Sequence, residues 1–128
     1  MVVDMKYELS ATEREIMDVL WSIGGVELDK VSTGEVMRIF TERGKKWKRQ
    51  TLNTFFTRLE EKELIHRERG TVEPRYSKKE FQSLCCHEIL KQGFDGKLSN
   101  FLCAYCGTES ISEEEAQQLL KIIQKGES

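Results

Sequence analysis

Residues 48–62 read KRQTLNTFFTRLEEK, and the way this stretch divides into two faces decides the fold. Leu52, Phe55, Phe56 and Leu59 recur at i, i+3, i+4 and i+7, the apolar stripe of an amphipathic helix. The opposite face carries Arg49, Gln50, Asn53, Thr54 and Thr57. A solvated helix face ordinarily mixes Glu with Lys. Here most of the side chains are short groups that donate and accept hydrogen bonds, the types that reach base edges or phosphates when a helix lies in a major groove. The plainer alternative is a surface helix whose polar face lacks acids. Just upstream, residues 43–49 (RGKKWKR) set five cations around one tryptophan, where phosphates would be approached.

Charge is distributed to match. The chain of 128 residues has a net charge of −2 and a pI near 5.8, which excludes a generally basic surface. Yet residues 43–79 hold twelve Lys or Arg against five Asp or Glu, a local +7, whereas residues 80–128 hold four bases and eight acids, a local −4. A basic middle with acidic ends fits a protein that turns one face to a polyanion and uses another for something else.

Outward from that helix, the chain is punctuated by capping boxes. SATE (10–13) precedes Ile16, Val19, Leu20 and Ile23 at helical spacing, and Gly24-Gly25 stops the run. A short connection with a little strand, residues 26–31, leads to STGE (32–35) and a second helix bearing Val36, Ile39 and Phe40. Beyond the 48–62 helix, residues 64–69 and 75–77 are predicted as two short strands around a turn at residues 70–74, which contains the only proline. Three helices and a two-stranded hairpin are the element order of a winged helix-turn-helix, with the third helix in the groove and the wing along the backbone. The predicted fold is mostly α with a small β-hairpin wing. Its DNA-binding domain spans residues 1–79 and a C-terminal helical dimerisation region spans 80–128. Arg49, Gln50, Asn53, Thr54 and Thr57 are the expected groove face. Lys46, Lys48 and Arg58 are expected to hold phosphates around it, and Arg67, Arg69 and Arg75 to do so from the wing. An Arg-rich edge hairpin also resists aggregation, whatever else it does.

From Glu80 the bases thin out. A fourth helix is predicted through Phe81, Leu84, Cys85 and Ile89, a fifth through Leu98, Phe101 and Leu102, and a sixth after SEEE (112–115) through Leu119, Leu120 and Ile123. So few residues are marginal as an independent core, and a second copy of the chain is the commonest partner for such helices. Phe81, Leu84, Ile89, Leu98, Phe101, Leu102, Leu119, Leu120 and Ile123 are therefore the expected homodimer contacts. The longest apolar runs fall well short of the roughly 18 residues that span a bilayer. The N-terminus MVVDMKYELS lacks the form of a signal peptide. Both point to a cytoplasmic protein with reduced thiols and no direct membrane binding.

Taken together, LSATEREIMDVLW (9–21), VSTGEV (31–36), TLNTFFTRLEEKELI (51–65), RYS (75–77) and SEEEAQQLLKII (112–123) resemble the penicillinase-repressor family of bacterial winged-helix regulators, the BlaI/MecI/CopY group. The resemblance implies a transcriptional repressor, a homodimer on a dyad-symmetric stretch of double-stranded operator DNA, controlling β-lactam-resistance genes or related stress genes. It also implies relief by proteolytic cleavage, set off by a membrane sensor with a protease domain. Asn100-Phe101 stands at the place where the best-known members are cut.

One branch of that family senses copper through paired Cys-x-Cys motifs. This chain instead has Cys85-Cys86-His87 and, separately, Cys103-x-x-Cys106. C-x-x-C is a metal-ligand spacing, so Cys103 and Cys106, completed by Cys85 or Cys86 and His87, form the alternative: a Zn or Cu(I) site in a metal-responsive repressor. Against it, Cys85 and Cys86 point about 100° apart on a helix and cannot readily share one ion, and cysteine is a common small hydrophobe. No metal or other cofactor is the favoured expectation. Nor is an enzyme: G-x-S-x-G, phosphate-loop and H-E-x-x-H motifs are absent, and His66 and His87 are the two histidines.

Overall fold

Serine-capped helix starts organise the chain as it folds. The structure, a computed structural model, describes residues 6–24 and 30–126. Its elements are α1 (Ala11–Gly24), β1 (Val31–Ser32), α2 (Thr33–Glu42), α3 (Arg49–Glu61), β2 (Ile65–Glu68), β3 (Thr71–Pro74), α4 (Lys78–Gly93), α5 (Leu98–Cys106) and α6 (Glu113–Lys125). Before α1 the capping box is complete: Ser10 N–H donates to Glu13 Oε1 at 3.0 Å and Glu13 N–H to Ser10 Oγ at 3.2 Å. Ser32 and Ser112 cap α2 and α6 through the amides of Glu35 and Glu115. The Glu35 carboxylate turns away to Arg38 on the next turn. A further complete box, Ser77 with Glu80 at 3.0 and 3.1 Å, opens α4, with Ser77 four residues before the first apolar residue, Phe81. Gly25, expected to stop α1, lies outside the described residues, as do residues 26–29.

The wing differs from its sequence-based outline. Three strands form one antiparallel sheet in the order β1-β3-β2, and the second hairpin strand is Thr71–Pro74, not residues 75–77. The turn closes on Arg69-Gly70, with Gly70 at φ +70°, a conformation that favours glycine. Proline here is a strand residue. Arg75 N–H donates to Leu64 O at 2.9 Å, so by alternation the Pro74 nitrogen faces away from β2, and among the described residues β1 pairs with Thr71 and Val72. The missing N–H therefore breaks no bond between β2 and β3.

The chain divides into two compact units at Glu88/Ile89. In the first, Ile16 and Leu20 of α1, Val36 and Phe40 of α2, Leu52, Phe56 and Leu59 of α3, and Ile65 and Val72 of the sheet are buried together. Phe81, which its spacing grouped with the dimer contacts, belongs to this core at 1% exposure. Its ring lies 5.4 Å from Trp21 and edge-on to Tyr7 at 6.2 Å. The Trp21 indole N–H donates to Tyr76 O at 2.9 Å, so the bulky ring is buried without an orphaned donor. Trp47, in the connection between α2 and α3, stacks on Phe40 at 4.8 Å and on Phe55 at 5.4 Å. It pins the turn between the two helices.

The second unit is different in kind. None of the residues of α5 or α6 is buried. Leu98, Tyr105, Leu120, Ile122 and Ile123 are exposed, Ile122 by 66%. Phe94 and Phe101 meet edge-on at 5.3 Å.

Among the described residues Glu13 is the one buried charged side chain, at 5% exposure. Its Oε1 also accepts from Lys62 Nζ at 3.3 Å, and Oε2 lies 3.1 Å from the same ammonium, off the angle of a hydrogen bond. Burial pushes the carboxyl upward, but the Ser10 amide and hydroxyl together with Lys62 hold it below the usual range. A carboxyl lowered on folding stabilises the fold above its unfolded value and loses that contribution as pH falls through its folded value. Glu13→Gln should therefore cost roughly 1–2 kcal/mol at neutral pH. The difference should shrink toward about pH 3, as urea midpoints at both pH values will read. Trp47→Ala should cost about 2 kcal/mol by the same measurement, with the half-exposed ring losing both stacking partners.

Candidate nucleic-acid interface

The apolar stripe fixes the aim of α3. With Leu52, Phe56 and Leu59 buried, Arg49, Gln50, Asn53, Thr54 and Thr57 are all exposed on the far side. Lys48 is the N-cap and offers no side-chain cap, and the first turn contains no acid. The leading amides of α3 and the positive end of its dipole thus stay open toward an anion.

Side-chain partners sort this face into two kinds. Among the described residues, Arg49, Gln50 and Asn53 have no side-chain hydrogen bond or ion pair. Thr54 Oγ1 donates to Gln50 O at 3.0 Å and Thr57 Oγ1 to Asn53 O at 2.9 Å. Both hydroxyls have spent their proton on the helix and keep acceptor lone pairs. The upstream cations divide as well. Arg43 and Lys45 are held by Glu15 at 3.3 and 3.7 Å, whereas Lys46 and Lys48 have no carboxylate partner among the described residues. Arg58 lies over the Phe55 ring at 5.7 Å.

The three wing arginines part company. Arg69 sits at the hairpin tip, exposed and without an ion pair among the described residues. Arg75 follows β3 and is exposed. Arg67 shares the inward face of β2 with buried Ile65, across from buried Val72. Its Nη2 donates to Thr57 Oγ1 at 3.1 Å and to Glu60 Oε1 at 3.0 Å.

Between wing and helix runs an open groove lined by Thr33, Arg49, Asn53, Glu60, Arg67, Glu68, Arg69 and Gly70. Its acids are neutralised. The Arg67 guanidinium holds the Glu60 carboxyl below the usual range, and Lys30 at 2.8 Å, then His66, do the same for Glu68. Thr33 escaped the sequence reading. Its amide and hydroxyl donate to Gly70 O at 3.0 and 3.4 Å, tying the first turn of α2 to the hairpin tip. The STGE box was the available signal for a helix start there.

Cys85 is half-buried, its thiol donating to Tyr7 O at 3.8 Å, and burial pushes it up, away from the thiolate a metal needs. Cys86, His87, Cys103 and Cys106 are exposed. Among the described residues no three His, Cys, Asp or Glu side chains gather as a metal site. Asn100 and Phe101 lie in the first turn of α5, where Asn100 Nδ2 donates to Phe94 O at 3.0 Å.

Among the described residues no helix is long and apolar enough to cross a membrane. Comparison with known proteins agrees with the fold. The chain is 24% identical to the penicillinase repressor of Bacillus licheniformis over 122 residues, covering 92% of this chain and 91% of that one. It is 24% identical to the methicillin resistance regulatory protein MecI of Mammaliicoccus sciuri over 127 residues, 93% and 95% of the two chains. A sequence model of the penicillinase repressor family matches residues 9–125. With a three-stranded wing and a polar third helix on a shared core, this winged-helix chain belongs to the penicillinase repressor family, a family of transcriptional repressors.

Proposed function

We propose that the protein is a cytoplasmic, non-enzymatic repressor that binds a dyad operator as a homodimer, with α3 in the major groove and the wing along the backbone. The observation that carries this reading is the trio Arg49, Gln50 and Asn53, without side-chain partners among the described residues, on a helix anchored by its buried Leu52, Phe56 and Leu59, beside Lys46 and Lys48 with no carboxylate partner among those residues. Arg suits guanine O6/N7, and Asn and Gln suit adenine N6/N7. Thr54 and Thr57 add acceptors and methyl groups, while Lys46, Lys48, Arg58, Arg69 and Arg75 face phosphates. Residues 1–79 make the DNA-binding part and 80–128 the dimerisation part.

Dimerisation is supported by the exposed apolar side chains of the second unit. Leu84, Ile89, Leu98, Phe101, Leu102, Leu119, Leu120 and Ile123 remain the contacts of this reading, without Phe81. Two half-sites about 34–36 Å apart demand two recognition helices at fixed spacing. Cutting Asn100-Phe101 removes that spacing. The N-cap of α5, Lys97, supplies no side-chain bond and the helix buries nothing, so its first turn opens to a protease at small cost. Resistance to a β-lactam is the regulated function that both relatives' names suggest, with related stress genes as the wider class and a membrane sensor-protease pathway as the source of cleavage.

Duplexes selected from random sequence by the protein supply the test. Asn53→Ala should flatten sequence preference by roughly 1–3 kcal/mol at one base position. Lys46→Ala should weaken all duplexes alike and reduce the salt dependence by about one unit of slope. If Asn53→Ala keeps the full preference, another face reads the bases. Leu120→Asp should give a monomer in sedimentation and lower dyad affinity by about a hundredfold or more. A variant still dimeric places the interface elsewhere.

A further inference from the structure

We infer that Arg67 is a positioning residue, a strut that locks the wing to the recognition helix, and not a phosphate contact. The inference rests on the DNA-binding reading above and assigns within it what holds the wing in register. Three observations converge. Strand alternation puts Arg67 on the inner face of β2, with Ile65 and opposite Val72, so its side chain runs toward α3 and not outward. Its side chain is only 28% exposed. Glu60 then grips it at two points: Oε1 accepts from Nη2 at 3.0 Å and Oε2 from the Arg67 backbone N–H at 3.3 Å. That joins β2 to the last turns of α3 through both backbone and side chain.

The strut continues onto the reading face. Nη2 also donates to Thr57 Oγ1 at 3.1 Å, and Thr57 Oγ1 donates onward to Asn53 O at 2.9 Å. One guanidinium therefore orients the Thr57 hydroxyl and connects the wing to the turn bearing Asn53. Its charge is matched by Glu60, so it adds little to the release of counterions from DNA. Arg69, two residues on at the hairpin tip, has no ion pair among the described residues and is carried by the same hairpin that Arg67 joins to α3.

Pure electrostatics and the strut predict opposite signs for Glu60. Wild type, Arg67→Gln, Glu60→Gln and the double variant should be compared without DNA, by amide hydrogen exchange of β2 and β3, and then on a duplex selected by the wild type. The strut requires faster wing exchange in each single variant, and a double variant no worse than the singles, because they break one linkage. It also requires each single to lose affinity by about tenfold with an unchanged salt slope, even though Glu60→Gln removes an acid from the groove. Arg67→Lys should behave as Arg67→Gln, since an ammonium keeps the charge but loses the fork. Unchanged wing exchange in Arg67→Gln overturns the inference. So does tighter binding by Glu60→Gln together with a salt slope reduced by about one in Arg67→Gln. A wild-type chain that selects no duplex defeats the DNA-binding reading, while hydrogen exchange still decides the strut.

Discussion

A helix that reads a groove has to be immobile on one side and unsatisfied on the other, and the burial of Leu52, Phe56 and Leu59 meets the first condition. Each such side chain contributes roughly 1.5–3 kcal/mol when fully withdrawn from water, enough together to hold α3 against partners that α1, α2 and the sheet supply. The Phe40–Trp47–Phe55 stack then fixes where the helix begins. Because the stripe settles rotation about the helix axis, the exposure of Arg49, Gln50 and Asn53 is a consequence of core packing. A turned helix would bury Arg49 or expose Phe56.

Around that face, charge pairing works by subtraction. Glu15 takes up Arg43 and Lys45, Glu60 takes up Arg67, and Lys30 takes up Glu68. Exposed ion pairs of this kind add little stability. Their effect is to choose which charges stay open to an outside polyanion. Lys46, Lys48, Arg49 and Arg69 stay open, and each borders the groove or the turn leading into α3. The net charge of −2 conceals this.

Elements with a period were legible in the sequence, and pairings across long separations were not. The stripe of α3, the complete box at Ser10, the serine caps at Ser32 and Ser112, and the helices after Glu80 follow from spacing alone, because capping and amphipathicity act within a few residues. The glutamates of STGE and SEEE do not close the other half of their boxes. The hairpin was misread at Pro74, since proline reads as a turn former unless one knows that its nitrogen faces away from β2. Arg67 was grouped with Arg69 and Arg75 by composition. Its alternation with Ile65 was readable, but its acceptor Glu60 only becomes a neighbour once β2 folds back on α3. Phe81 followed the spacing of α4, yet the space between Tyr7 and Trp21 claims it.

The second unit carries the remaining logic in what it lacks. Its helices have good local signals, with Ser112 capping α6 and three acids in the first turn, but no side chain of α5 or α6 is buried. Helices of this length are marginal unless their apolar face is packed, and exposed Leu120, Ile122 and Ile123 are a face of that kind. The same deficit has two effects under the proposed reading. It makes a second copy of the chain the natural cover for α6, and it leaves the first turn of α5, with Asn100-Phe101, held by little beyond the Phe94 contacts. A unit with its own dense core would need no partner, and it would also resist being cut.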